Sequence, residues 1–330
     1  MRVARSAGLV VGDWPVRPEV TAVLEGAGAV LAWDVLAGDA VPAARVDDPV
    51  RAAEWLWEIY GSAADGILGE ASEVDVPAGG DWRVRDACRT VAQLDWARAW
   101  WPASATTGVP ALDPVVLRAE RAVAVSTVEH LLDDQDAVTR ALAMVTSFDT
   151  PDPELSDRIA ALAEDYGVVL SPPVAARTAY ALAAGGPGSS SGTTVLTGSS
   201  TVDWTLVPAG VVDAAAPVEW SVVRRQGTTV LEVAVEPGPA PGPRLAARFD
   251  EIDVALDEID GLGRITGSAP VPATVLLLPP DRRVVTVYAP DFAAPAEPEP
   301  GAEARRAAIL AYARSRVGAA EATITERTAR

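Results

Sequence analysis

His130 is the chain's single histidine, and so its one imidazole able to serve as a general base near neutral pH. It sits in Thr127-Val128-Glu129-His130-Leu131-Leu132-Asp133-Asp134. On a helix, Asp134 lies one turn further on and supplies the carboxylate that orients the imidazole of a catalytic triad. A triad also needs a nucleophile brought in from elsewhere, which spacing does not specify. The plainer reading is a surface histidine paired with an acid. Gly188-Ser189-Ser190-Ser191-Gly192 has the letters of the G-x-S-x-G nucleophile elbow. The elbow requires a strand before it and a helix after it; here a Gly/Ser tract surrounds it and strands follow, so a linker is expected. Cys88, the sole cysteine, falls on an apolar stripe and reads as a buried structural thiol. Gly261-Leu262-Gly263 lacks a third glycine at dinucleotide spacing and reads as a hairpin turn. The acidic runs at 250–253 and 257–260 lack the calcium-loop pattern and read as a charged strand edge.

The chain has no lysine and no asparagine. This removes the Walker loop and the pyridoxal Schiff base, which need Lys, and the kinase site, which needs both. A metalloprotease helix needs two His and a zinc ribbon several Cys, so neither can be built from one His and one Cys. No cofactor and no metal are therefore expected. All 27 basic residues are Arg, as a GC-rich genome would favour, so ion pairs must be Arg–Asp and Arg–Glu pairs.

Tryptophan is the remaining chemical signal. Eight of the ten lie at or before Trp101. Arginines interleave with the last of these, and Trp82, Arg85, Arg89, Trp96, Trp100 and Trp101 are the candidate interface residues, because Trp and Arg are enriched at binding hot spots. Cation–π stacking and core packing within one helix produce the same pattern without a partner.

The net charge of −19 repels phosphate backbones and anionic lipid, so neither nucleic acid nor membrane is expected as a partner. A protein partner is expected, and this charge favours a basic one; a homo-oligomer is left open. The short apolar stretch at 7–11 does not read as an export signal, and the lone Cys fits a cytoplasmic location.

The elements that must hold these residues differ between the two halves. Asp48-Pro49, Asp113-Pro114 and Asp152-Pro153 each place a capping carboxylate before a proline at the first helical turn. Apolar stripes follow at helical spacing, such as Leu117, Ala124, Val128 and Leu131, or Leu155, Ile159, Leu162 and Tyr166. Residues 49–60 are apolar nearly all round, which predicts one buried helix. Residues 9–11 and 30–35 have strand character, but Gly26 and Gly28 leave the N-terminus ambiguous.

After the Gly/Ser tract the period changes to alternation. Strands are expected around Val202-Trp204-Leu206, Val218-Trp220-Val222 and Leu231-Val233-Val235, then at 245–249, 252–256, 275–278 and 284–288. A helix is expected over 302–317, with frayed residues after Gly318.

The fold class predicted is α+β: a mostly helical domain (1–184), a Gly/Ser linker (185–193), a β-sandwich domain (194–294), and a Pro/Ala linker with a C-terminal helix (295–330). The function expected is a non-catalytic interaction or scaffold protein, an accessory subunit of a larger bacterial assembly in signalling or defence. Two alternatives stand beside it. One is a small-molecule or carbohydrate binding module on the sandwich, with Trp204 or Trp220 as a stacking platform. The other is a carboxylate- or Arg-based hydrolase, which needs two acids sharing a cleft.

Overall fold

The computed structural model describes residues 1–5, 8–77, 82–145, 150–170, 192–295 and 299–329. It is an α+β chain whose sheets are antiparallel. The chain divides into two compact units, and neither is a single continuous stretch. Unit 1 gathers Met1–Ala99, Leu112–Ala175 and Ser315–Arg330; unit 2 gathers Trp100–Ala111 and Ala176–Arg314. The Gly/Ser tract at 185–191 lies outside the described residues, and with it all of the G-x-S-x-G stretch but Gly192.

Unit 1 begins as a sheet. Strands β1 (Val3–Ala4), β2 (Leu9–Val11), β3 (Thr21–Gly26), β4 (Ala29–Asp34) and β5 (Ala43–Val46) lie in the order β1-β2-β5-β4-β3. The glycines that obscured this segment are its hairpin turn. Gly28 has φ +78° and a Cβ there would meet Asp48 O at 2.4 Å, so only glycine fits between β3 and β4. Alternation is clean on β3: Ala22 and Leu24 are buried, Val23 and Glu25 exposed.

Helices then follow this sheet in the chain. The expected helix over 49–60 is two short ones, α1 (Pro49–Ala52) and α2 (Leu56–Tyr60). Between them Trp55 leaves helical geometry and its indole Nε1 donates to Ala27 O at 2.9 Å, a long-range bond that interrupts the local one. α3 (Ala63–Leu68), α4 (Arg83–Trp100), α5 (Pro114–Val128), α6 (Ala137–Ala143) and α7 (Pro153–Asp165) follow. Asp48, Asp113 and Asp152 all cap as their Asp-Pro spacing predicts, each carboxylate accepting a first-turn amide.

Unit 2 contains two antiparallel sheets. Strands β6 (Thr193–Ser200), β7 (Val218–Arg225), β8 (Thr228–Val235), β9 (Leu245–Phe249), β10 (Ile252–Leu256), β11 (Glu258–Ile259), β12 (Ile265–Pro270) and β13 (Val285–Tyr288) form orders β11-β12-β8-β7-β6 and β10-β9-β13. The hairpin expected at Gln226-Gly227 joins β7 to β8. Both sheets feed one hydrophobic cluster: Val218, Trp220, Leu231 and Val233 from the first, Phe249, Val254, Val285 and Val287 from the second. Trp220 and Phe249 meet with ring centroids 5.1 Å apart, and each such side chain contributes about 1.5–3 kcal/mol of burial.

Two expected strands are not strands. Residues 202–206 are turns, because Asp203 Oδ1 captures the amide and hydroxyl of Thr205, an Asx turn that competes with a ladder. Residues 273–277 form a 3-10 turn between Pro272 and Pro279, whose missing N–H groups cannot extend a sheet. Helix α8 (Ala302–Arg316) matches expectation. The residues after Gly318 do not fray. They form α9 (Ile324–Arg327) with a capping box between Thr323 and Glu326, and Thr325 and Glu326 are wholly buried.

Candidate functional site

The six sequence-selected residues on and beside α4 are mostly enclosed. Trp96 is buried with its Nε1 donating to Glu19 O at 3.0 Å, and Trp101 is buried with its Nε1 on Pro110 O at 2.8 Å. Arg85 is 4% exposed, its guanidinium 4.0 Å over the Trp82 ring. Burial pulls the Arg85 guanidinium below its ordinary range. Arg85 Nε and Nη1 and Trp82 Nε1 have no hydrogen-bond partner among the described residues. Trp82, Arg89 and Trp100 stay half-buried, and Arg89 donates to Gly38 O. Trp96 and Trp101, so placed, stabilise the interior.

His130 is exposed and its Nε2 lies 2.8 Å from Glu58 Oε1; Asp134 pairs with Arg140 instead. His130 sits in a 3-10 turn after α5, where the one-turn spacing to Asp134 does not hold. Cys88 is fully buried, and burial together with the Glu58 carboxylate pushes its thiol up to about 12. Trp220 is in the unit 2 core, and half-buried Trp204 donates its Nε1 to Ala214 O. The acidic runs serve turns and ion pairs. Asp253 grips Arg248 with both oxygens, and Asp260 holds the β11–β12 turn through Leu262 and Arg264. Among the described residues no three His, Cys, Asp or Glu are grouped to hold a metal, and no helix is long and apolar enough to cross a membrane.

What sequence reading missed is a groove in unit 1 of about 720 Å³. One wall is the open edge of β3, from Val23 to Gly26. Three helices, by helical spacing, and the segment 132–134 supply the rest. Val91, Asp95 and Arg98 come from α4; Leu117, Arg118, Arg121 and Val125 from α5; Ala137, Arg140, Ala141 and Met144 from α6 and its end. Val23 and Met144 are large apolar groups that remain about half exposed, at 44% and 55%.

The groove differs electrically from the chain around it. Arg121 holds Asp95 with two bonds of 2.8 and 2.9 Å, and Arg98 approaches the same carboxylate at 3.6 Å. Asp134 is paired with Arg140, and Asp133 with Arg51. Arg118 has no ion pair among the described residues. Arg98, Arg118, Arg121 and Arg140 here balance Glu25, Asp95, Asp133 and Asp134, within a chain of net charge −19.

Comparison with protein-family models, with curated proteins and with solved structures finds no match to this chain. The groove therefore stands on its own geometry.

A second, smaller hollow of about 290 Å³ lies in unit 2 beside Asp213, Glu219, Glu236 and Arg264. Asp213 is buried. Burial alone would raise its carboxyl, but the Ser104 side chain and the amides of Ala215, Thr106 and Ala216 outweigh that and hold it below the usual carboxylate range. With those donors, and the Thr106 hydroxyl at 3.3 Å, its oxygens are occupied by the protein itself.

Proposed function

We propose that this chain is a non-catalytic protein-interaction subunit that captures a partner polypeptide in the unit 1 groove. One observation carries the reading. An open sheet edge, two half-exposed apolar side chains and an unpaired arginine converge on one concave surface. Mixed apolar and Arg surfaces suit protein partners. The net charge still disfavours nucleic acid. We further read unit 2 as a β-sandwich, supported by two antiparallel sheets feeding one core.

The test selects binders from a random dodecapeptide library displayed on phage, using the full chain as bait. Met144→Cys places a reactive thiol in the groove for a polarity-sensitive dye, since Cys88 is buried. Selected peptides should shift the dye emission, and Met144→Glu should abolish their binding with the fold retained. Peptides indifferent to Met144→Glu, or turnover of a substrate that depends on His130 or Glu58, would sink the reading.

A further inference from the structure

We infer that the groove takes its occupant as an added β-strand along β3, an extended peptide segment carrying an acidic side chain for Arg118. This rests on the groove being the binding surface and specifies how that surface is read.

The hydrogen-bond parity of the β3–β4 hairpin decides which backbone groups face outward. Val35 N–H donates to Val20 O at 2.9 Å, and the same register continues through Ala22↔Trp33 and Leu24↔Leu31 to Gly26↔Ala29. Bonded and non-bonded pairs alternate along an antiparallel ladder. Ala22, Leu24 and Gly26 therefore bond to β4, while the N–H and C=O groups of Val23 and Glu25 point away from it. Among the described residues those groups have no hydrogen-bond partner. The open stretch is closed at both ends: Thr21 N–H is taken by Pro18 O, and Ala27 N–H by Leu131 O.

Folded proteins blunt their sheet edges by shortness, charge, proline or a bulge. At the opposite edge of this sheet, β1 is two residues long. In unit 2, β11 is two residues long and acidic at Glu258, and β6 carries a register shift between Thr194 and Leu196. β3 runs six residues in unbroken register without proline or bulge, and Glu25 is its single charge. Such an edge, set in a groove rather than on open surface, offers the geometry of strand addition, in which main-chain bonds provide affinity and side-chain pockets provide selectivity.

Charge selects the occupant. Asp95 is taken by Arg121 and Arg98, and Asp134 by Arg140, which leaves Arg118, and Glu25 on β3 itself, as groove charges without an ion pair among the described residues. A carboxylate on the incoming strand pairs with Arg118. Its apolar residues alternate onto Val23 and Met144.

The decisive variant is Val23→Pro. Proline at this position removes an outward N–H and no bond to β4, so the hairpin keeps its ladder. Peptides selected on the full chain should be extended, alternating and acidic at one position. Val23→Pro should weaken them about tenfold, the equivalent of one backbone hydrogen bond. Arg118→Glu should weaken them too, and replacing the peptide's acid with lysine should restore binding to that variant. On the unmodified chain, bound peptide should slow hydrogen exchange at the Val23 and Glu25 amides, a readout that does not depend on any variant folding. Groove-dependent binding that tolerates Val23→Pro and leaves those amides exchanging freely would overturn strand addition while leaving the groove reading intact. Selection of no peptide at all would overturn both.

Discussion

Glu120 of α5 takes both the amide and the hydroxyl of Thr325 on a single oxygen, at 2.8 and 2.7 Å, while its other oxygen takes the Ile324 amide at 2.8 Å. Glu120 is 9% exposed and Thr325 is fully buried. The residues nearest the C-terminus are thus anchored on a carboxylate two hundred positions earlier. Glu326, also buried, accepts from Arg316 at 2.7 Å and from Gln93 at 3.2 Å. Burial pushes the Glu120 carboxyl up, the donors from Thr325 and Ile324 pull it back, and the nearby Glu326 adds to the rise.

Removing this acceptor should release the tail. Glu120→Ala leaves three donors facing a space without a partner, at a cost of about 2–4 kcal/mol. Urea unfolding should show that loss. Limited proteolysis should cleave first within 319–329, where the parent protein resists. A variant with unchanged midpoint and unchanged cleavage would show that the anchor contributes nothing.

Asp213 predicts a pH effect of known sign. Its folded carboxyl is held below the ordinary aspartate value of 3.8, so near that pH the unfolded chain binds more protons than the folded one. Stability from this group is present above pH ~4 and is lost as pH falls through the folded value. Asp213→Asn should lower the melting temperature near neutrality, because an amide cannot accept from all of these donors. The gap between the two proteins should narrow below pH ~4. Parallel melting curves across pH 3–7 would contradict this.

Cys88 should be silent in the folded protein. With its thiol pushed up to about 12 and no exposure, it should not react with a disulfide reagent at pH 8. One equivalent should react on unfolding in urea. Rapid labelling of the native chain would place Cys88 at a surface.

Gly198 of β6 stands directly opposite Trp220 of β7, and a Cβ there would lie 2.3 Å from the indole ring. Gly198→Ala should therefore push Trp220 off Phe249 and cost about 1–3 kcal/mol. Tryptophan fluorescence should shift to the red in the folded variant. Unchanged stability and emission would mean that β6 can move away without cost.

Much of the local structure was legible in the sequence because it depends on neighbours in the chain. Three Asp-Pro pairs start three helices, since the carboxylate and the amide it caps lie within one turn. Gln226-Gly227 turns a hairpin and the alternation on β7 and β8 sends Val218, Trp220 and Val222 inward. Composition also excluded the chemistries that require lysine or several histidines. The tertiary structure decided the rest. Trp55 broke the 49–60 helix through a carbonyl at Ala27, and Glu120 anchored a tail whose local capping box, Thr323 to Glu326, starts only one short helix. The groove arises where an edge strand at 21–26 meets helices that begin at 83, 114 and 137. No periodicity within one segment records that meeting, because the packing that creates it joins residues remote in sequence and is chosen by burial, not by spacing.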